Sequence, residues 1–258
     1  MVTILFHETI FGPIHSRRLG FSLGVNLSPT DGKICSFDCV YCEAGYNAQG
    51  QGQSGLPTRE SVKKKLAAKL KSMKENGEPL DVITFSGNGE PTLHPQFGEI
   101  IKDTLMLRDR FFPEVKVSVL SNSTFLHRPK VVEALKKVDN NILKLDSAID
   151  YTMRKIDNPL NPNITVEGVI ADLKQFKGQV IVQTMILRGE HNGNKIDNTT
   201  DKEIEALIEA YKEIEPAWVM IYSIDRETPE QNLQKVQKEE LEAIADRIRA
   251  AGIQAEAY

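Results

Sequence analysis

Three cysteines, one tryptophan and no long apolar run mark what this sequence is short of. Three thiols, an odd number and all within Cys35 to Cys42, cannot form the paired framework that staples small secreted domains, and they point to a reducing compartment. No stretch approaches the roughly 20 consecutive apolar residues that a bilayer-spanning helix requires, so no membrane partner is expected. The opening apolar run Met1–Phe6 is too short for a secretory signal and has no positive charge before it, so the cytoplasm is the expected location. Positive charge is not in excess either: 32 Lys and Arg stand against 36 Asp and Glu, so no global basic field recruits nucleic acid. Low-complexity linkers and breaks in composition are missing as well. With 258 residues, 40% of them hydrophobic, the chain reads as one domain over 1–258. Residues 1–20 then form an N-terminal extension, and 225–258 a last helix and a possible closing strand.

What is present is a regular alternation. Strand-like runs at Phe21–Leu27, Val82–Phe85, Val115–Leu120, Ile142–Leu145, Val180–Ile186 and Trp218–Tyr222 alternate with helical patterns. Arg59 to Glu75 carries Val62, Leu66, Leu70 and Met73 at helical spacing, with lysines on its other faces and Gly77 as a stop. Asp201 to Ile214 opens on a capping box, Thr200 and Glu203. Near-continuously apolar strands alternating with helices predict an α/β fold whose parallel strands are buried on both faces. Six such units with a possible closing strand fit a partial barrel or an open doubly wound sheet. Each strand ends in a polar cluster, whereas the segments entering the strands are mostly short turns. One mouth is therefore expected to carry the chemistry.

At that mouth, Cys35, Cys39 and Cys42 follow the first strand in a C-x3-C-x2-C pattern. Soft thiolates on one short loop suit zinc or an iron–sulfur cluster. A structural zinc site normally takes four protein ligands, and His15 or His94 would have to supply the fourth. A [4Fe–4S] cluster usually takes four cysteines, so three leave one iron open to an exchangeable ligand. After the second strand comes Ser86-Gly87-Asn88-Gly89-Glu90-Pro91, whose two glycines permit positive φ and close approach of a ligand. It is equally readable as a strand-to-helix turn with His94 as a cap. Gln183 interrupts an apolar strand and needs a buried hydrogen-bond partner, a ligand or the neighbouring backbone.

The cysteine pattern, with Tyr41 just before its last member, and Gly-Asn-Gly-Glu-Pro after the next strand together resemble the radical S-adenosylmethionine (SAM) superfamily. The resemblance runs from Phe11 to about Tyr222 and implies a partial (β/α)6 TIM-like barrel with parallel strands. It implies that Cys35, Cys39 and Cys42 ligate three irons of a [4Fe–4S] cluster, with the fourth iron held by the amino and carboxylate groups of SAM. It implies further that Tyr41 lies at the adenine and that Gly87, Asn88, Gly89 and Glu90 line the methionine end. Asn122 and Asp146 become candidates for the ribose hydroxyls or the carboxylate, and Gln183 a candidate cofactor contact. One electron, from an external donor such as flavodoxin or ferredoxin, would cleave SAM to a 5′-deoxyadenosyl radical that abstracts a substrate hydrogen.

The segment Phe11-Gly-Pro-Ile-His-Ser-Arg17-Arg18-Leu-Gly20 resembles the entry of a subgroup related to the wyosine tRNA-modifying synthetases. Paired arginines can fork onto carboxylate or phosphate, which makes Arg17 and Arg18 candidate substrate-binding residues, with surface charge as the competing reading. A tRNA nucleoside is the specific substrate this implies. A glycyl-radical activase or peptide-modifying enzyme is the enzymatic alternative, which a compact chain without cysteines for a second cluster suits. A non-catalytic zinc-binding module is the alternative of another class. The loops 189–199 and 223–229 lie at the same mouth and are the expected substrate loops.

Overall fold

Valine, isoleucine and leucine dominate the strands because both faces of the sheet are covered. The computed structural model describes residues 4–16 and 18–258. Its elements run β1 (Ile10–Ser16), β2 (Gly20–Val25), α1 (Arg59–Asn76), β3 (Val82–Phe85), α2 (Phe97–Phe111), β4 (Lys116–Ser121), α3 (Pro129–Leu135) and β5 (Asn140–Lys144). There follow α4 (Asp150–Asp157), α5 (Val166–Leu173), β6 (Val180–Met185), β7 (Leu187–His191), β8 (Asn194–Asp197), α6 (Asp201–Ile214), β9 (Trp218–Tyr222), β10 (Leu233–Lys235), α7 (Lys238–Ala250) and β11 (Ala255–Ala257).

One sheet has the order β1-β2-β3-β4-β5-β6-β9-β11. Every pairing from β2 to β11 is parallel, and only β1 runs antiparallel, against β2. The protein is thus an α/β partial barrel of parallel strands, one of the two architectures the alternation fits, and Ala255–Ala257 forms the edge strand β11 beside β9. The outward strand faces and the helices make the main core, including Val25, Ile83, Val117, Leu143, Val182 and Val219. Inside the barrel, Ile142, Ile181 and Met220 pack with Leu19, Leu120, Trp218 and Tyr258.

The helices begin where the sequence says. Thr58 accepts from the Ser61 amide at the start of α1, and Val62, Leu66, Leu70 and Met73 form its buried stripe. Such a threonine cap stabilises a helix by about 1 kcal/mol. Lysines of α1 face outward into ion pairs, as with Lys71 and Glu75 at 3.7 Å. Thr200 caps α6, but the Glu203 carboxylate does not complete the reciprocal box; it turns inward to accept from Ser147 Oγ at 2.7 Å and from Thr152.

Three elements differ from the sequence reading. Residues 10–16, expected as part of an extension before the first strand, form the antiparallel edge strand β1. Its mostly half-exposed residues give no apolar run to read, and its Phe11 ring occupies the space over Gly24, where a Cβ would come within 2.1 Å of it. The polar 189–199 loop is mostly the β7–β8 hairpin, extended by β10 into a second sheet of three strands, β10-β7-β8. The helix α4, with Met153, Ile156 and Asp157 buried, follows β5 directly.

Candidate active site

The cysteine loop is clamped on both sides by backbone. Ile34 forms a parallel bridge with Gly89: its amide donates to the Asn88 carbonyl and its carbonyl accepts from the Glu90 amide, each at 3.1 Å. A Cβ on Gly89 would sit 1.8 Å from the Ile34 oxygen, and its φ of +154° favours glycine independently. On the other side the α4 segment straps the loop. Val40 N donates to Ile156 O at 2.9 Å, Asp38 N to Asp157 O at 3.1 Å, and Leu160 N to Ser36 O at 3.0 Å. The two flanks come from the ends of β3 and β5, so the fold fixes the thiols before any ligand arrives.

Two buried ammonium groups surround these thiols. Lys33, with its side chain 2% exposed, lies under the loop and donates to the Gly45 carbonyl at 2.6 Å, with Asp38 Oδ1 at 3.4 Å. Lys144, inside the barrel, places Nζ 3.0 Å from Cys39 Sγ, 2.9 Å from Asp146 Oδ2 and 2.6 Å from Asp157 Oδ1. Burial alone would push both lysine pKa values down. For Lys33 the charges of the three cysteines and Asp38 outweigh burial, and for Lys144 those of Asp146, Asp157 and Cys39 do, so both stay protonated above the ordinary range.

The thiols move the other way. Burial, and then the Glu90 charge, pushes Cys35 up to about 11, and burial pushes Cys39 higher despite Lys144. Without metal Cys35 and Cys39 are therefore protonated at neutral pH, and metal must displace those protons. A rise from 9.0 to about 11 leaves Cys35 with about a hundredfold less thiolate at pH 8 than an unperturbed thiol has. Iodoacetamide should accordingly modify Cys35 in the metal-free folded protein about a hundredfold more slowly than in urea, with the rate climbing between pH 9 and 11. Mass spectrometry of the alkylated peptide reads this, and a rate already level at pH 8 would contradict it.

The other predicted residues gather unevenly. Tyr41 donates from its hydroxyl to Asp146 Oδ2, and the Lys144 ammonium lies 4.7 Å from the centre of its ring. Asp146 also accepts from the Met185 amide at 2.9 Å, so Tyr41, Asp146, Lys144 and Cys39 form one contiguous buried network. Asn122 joins the opposite side, with Nδ2 3.5 Å from Cys35 Sγ and 2.8 Å from Ser36 Oγ. The Asn88 side chain is wholly buried and turned away from the mouth, bonded to Phe6 N, Phe6 O and Pro29 O. Glu90 is held by Thr92, Ser121 Oγ and the Asn122 amide, and burial raises its pKa. Both side chains are thus occupied in holding the scaffold, and Gly87 and Gly89 offer backbone alone. Gln183 Nε2 lies 3.5 Å from the Met220 thioether instead of bonding the neighbouring strand's backbone, and it faces the barrel interior. Arg18 also reaches the interior, and Arg17 lies outside the described residues.

The sequence reading missed Lys33, Lys144 and Asp157. Lys144 and Asp146 were legible in principle, since residues two apart on a strand share a face. Asp157 was not, because its role depends on α4 folding back onto the cysteine loop. At the rim, Tyr46 donates to Glu230 Oε1 at 2.5 Å, His191 Nδ1 is 3.0 Å from the same oxygen, and Arg226 pairs with Glu43 at 2.7 Å. Both expected substrate loops are thereby tied to the cysteine loop.

Comparison with known proteins decides the family. The family described as "Radical SAM superfamily" matches residues 30–210, which include the cysteine loop and most of the barrel. The chain belongs to the radical SAM superfamily. Among curated relatives it is 31% identical over 219 residues to a UPF0026 protein of Helicobacter pylori, covering 84% of this chain and 66% of that protein. It therefore spans just under two thirds of that relative's length. Among solved structures it superposes on a radical SAM methyltransferase from Sphaerobacter thermophilus with a TM-score of 0.66 at 15% identity, over 92% of this chain and 65% of that one. Archaeal TYW1 gives a TM-score of 0.58 at 16% identity, over 89% and 72%. At such identities these structures speak for the fold alone.

Radical SAM proteins use a [4Fe–4S] cluster and SAM, and the donor set here fits the cluster. Three thiols would serve three irons, no further cysteine in the sequence remains for the fourth, and two ammonium groups would offset thiolate charge. A single zinc fits less well. His94 has both ring nitrogens engaged, with Pro57 O and the Gln96 amide, and His15 lies exposed on β1, edge-on to Phe21. Among the described residues no three His, Cys, Asp or Glu side chains are grouped to hold one ion, whereas the irons of a cluster meet their thiolates separately. No described helix is long and apolar enough to cross a membrane.

Proposed function

We propose that this radical SAM protein binds one [4Fe–4S] cluster at Cys35, Cys39 and Cys42 and acts on a substrate that enters the barrel from the mouth above it. The observation that carries this is the Cys39–Lys144–Asp146–Tyr41 network, which ties a cluster thiol to the barrel interior through buried charge. Bound there, the cluster and SAM would supply one-electron reductive cleavage of SAM, the chemistry that starts hydrogen abstraction from the substrate. The chain's own residues position and shield. Tyr41 presents a ring held by Asp146, Asn122 presents an amide beside Cys35, and the glycines of the β3 loop allow close approach. Lys144 holds a fixed positive charge 3.0 Å from Cys39 Sγ and would offset the charge of a metal-bound thiolate there. The rim contacts Arg226–Glu43 and Tyr46–Glu230 hold the segment after β9 against the segment that follows the cysteines. The electron comes from an external donor of the flavodoxin or ferredoxin kind. Family membership favours this enzyme over the zinc module, and the residues 1–258 act as one radical SAM core.

The specific substrate we propose is a tRNA nucleoside, on the strength of the Phe11–Gly20 segment. Comparing modified nucleosides from a deletion strain and its parent by mass spectrometry tests this. One nucleoside missing or accumulating as its precursor is expected, and identical profiles would remove the tRNA reading and leave the peptide-modifying one.

A further inference from the structure

Arg18 is a cation inside the barrel with no anion to meet it. The β1–β2 turn carries it across the seam between the first and last strands. Its guanidinium lies 4.7 Å from the centre of the Tyr222 ring, and Nη1 is 3.7 Å from Met220 Sδ. The strand registers show where that is. Lys144 is level with Gln183, Gln183 with Met220, and Met220 with Glu256, so these side chains form one row around the inner wall. Tyr222 stands two residues further up β9, level with Met185, whose amide donates to Asp146. Arg18 therefore sits in the same interior as Lys144, Asp146 and Tyr41, over the Tyr222 ring that shares a cluster with Val40 and Tyr41 of the cysteine loop.

Its surroundings do not neutralise it. Among the described residues no carboxylate lies within ion-pair distance of Arg18. The nearest acids by register have other partners: Asp146 holds Lys144 and Tyr41, and Glu256 accepts from the Tyr258 hydroxyl. An aromatic face and a thioether leave most of the five guanidinium donors without an acceptor. A half-buried guanidinium loses hydration that only an anion or several acceptors restore. Met220, which it touches, belongs to an apolar cluster with Ile142, Ile181, Leu19 and Trp218, whose side chains offer no oxygen acceptor. The planar fork matches the two oxygens of an oxyanion, and the Tyr222 ring fixes its plane.

We propose that Arg18 anchors an oxyanion of the substrate, a carboxylate or a phosphate, at the inner end of the barrel, so that the rest of the substrate points towards Tyr41 and the cysteine loop. Assigning that anion to the substrate rests on the radical SAM reading; the anion site itself does not, because binding needs neither SAM nor reduction. Trp218, the only tryptophan in the chain, packs against the same interior cluster as Met220 and reports on it by fluorescence.

The test titrates the reconstituted protein, under anoxia and at constant ionic strength, with inorganic phosphate and separately with acetate. Saturable fluorescence change with at least one of them is expected, and which one answers distinguishes phosphate from carboxylate substrates. Arg18→Gln should weaken it by about tenfold or more and Arg18→Lys, which keeps charge but loses the fork, by about threefold or more. Glu256→Gln, which removes a nearby negative charge, should tighten it. SAM affinity, measured in parallel, should be unchanged in all three variants. No saturable response to either anion, or equal affinity in Arg18→Gln, would overturn the proposal. Should Arg18→Gln fail to fold, equal affinity in Arg18→Lys would overturn it in the same way. Failure of SAM cleavage with intact anion binding would instead count against the enzyme reading alone.

Discussion

Replacing Cys39 with alanine is expected to abolish the cluster while sparing the fold. After anoxic reconstitution the wild-type protein should be brown and carry about four irons per chain, and the variant should be colourless with fewer than about one. The reason lies in how the loop is held. Ile34, Asp38, Val40 and Leu160 anchor it by backbone hydrogen bonds that no cysteine side chain makes. Removing one sulfur therefore takes away a ligand but not the loop, at a stability cost of about 1 kcal/mol. A folded Cys39→Ala protein with wild-type iron would show that the three thiols are not the ligands. Alanine at Cys35 or Cys42 should behave alike, because in the proposed site each thiolate would serve its own iron.

Lys144→Met should have the largest effect on the stability of the metal-free protein. The side chains of Asp146 and Asp157 are 1% and 3% exposed, and Lys144 is the cation both of them touch. Deleting one partner of a buried ion pair costs about 3–5 kcal/mol because the remaining charge has no compensation. Burial already holds the Asp157 carboxyl well above the usual carboxylate range, with Lys144 opposing. A carboxyl raised in the folded state gives stability that is complete below its unfolded pKa of about 3.9 and is lost as pH rises through the folded value. In the variant that opposition is gone, so the deficit should be small near pH 4 and grow towards pH 8. Urea unfolding across this range measures it. Lys144→Met with Asp157→Asn should recover a large part of the loss, and a deficit independent of pH would contradict the charge argument.

The extent to which the sequence disclosed this protein follows from range. The parallel strands and the α1 and α6 stripes were legible because each rests on residues a few positions apart, such as Val62, Leu66, Leu70 and Met73. The cysteine loop was legible because its three donors lie within eight residues. Asn88 and Glu90 were legible as a motif but not as to role. Their partners, Phe6 and Pro29 for the one and Ser121 and Asn122 for the other, are 31 to 82 residues away. Lys33 looked like any surface lysine until Gly45 and the loop closed over it. Arg18 needed a strand more than 200 residues later, for Met220 and Tyr222 lie on β9. No local pattern encodes such a contact.

Reductive cleavage of SAM by the reconstituted protein tests the central claim most directly. With dithionite or a reduced flavodoxin under anoxia, wild-type protein should release 5′-deoxyadenosine and methionine in step, and Cys39→Ala should release neither above background. A protein that carries its full complement of iron, binds SAM and yet yields no 5′-deoxyadenosine on reduction would contradict it.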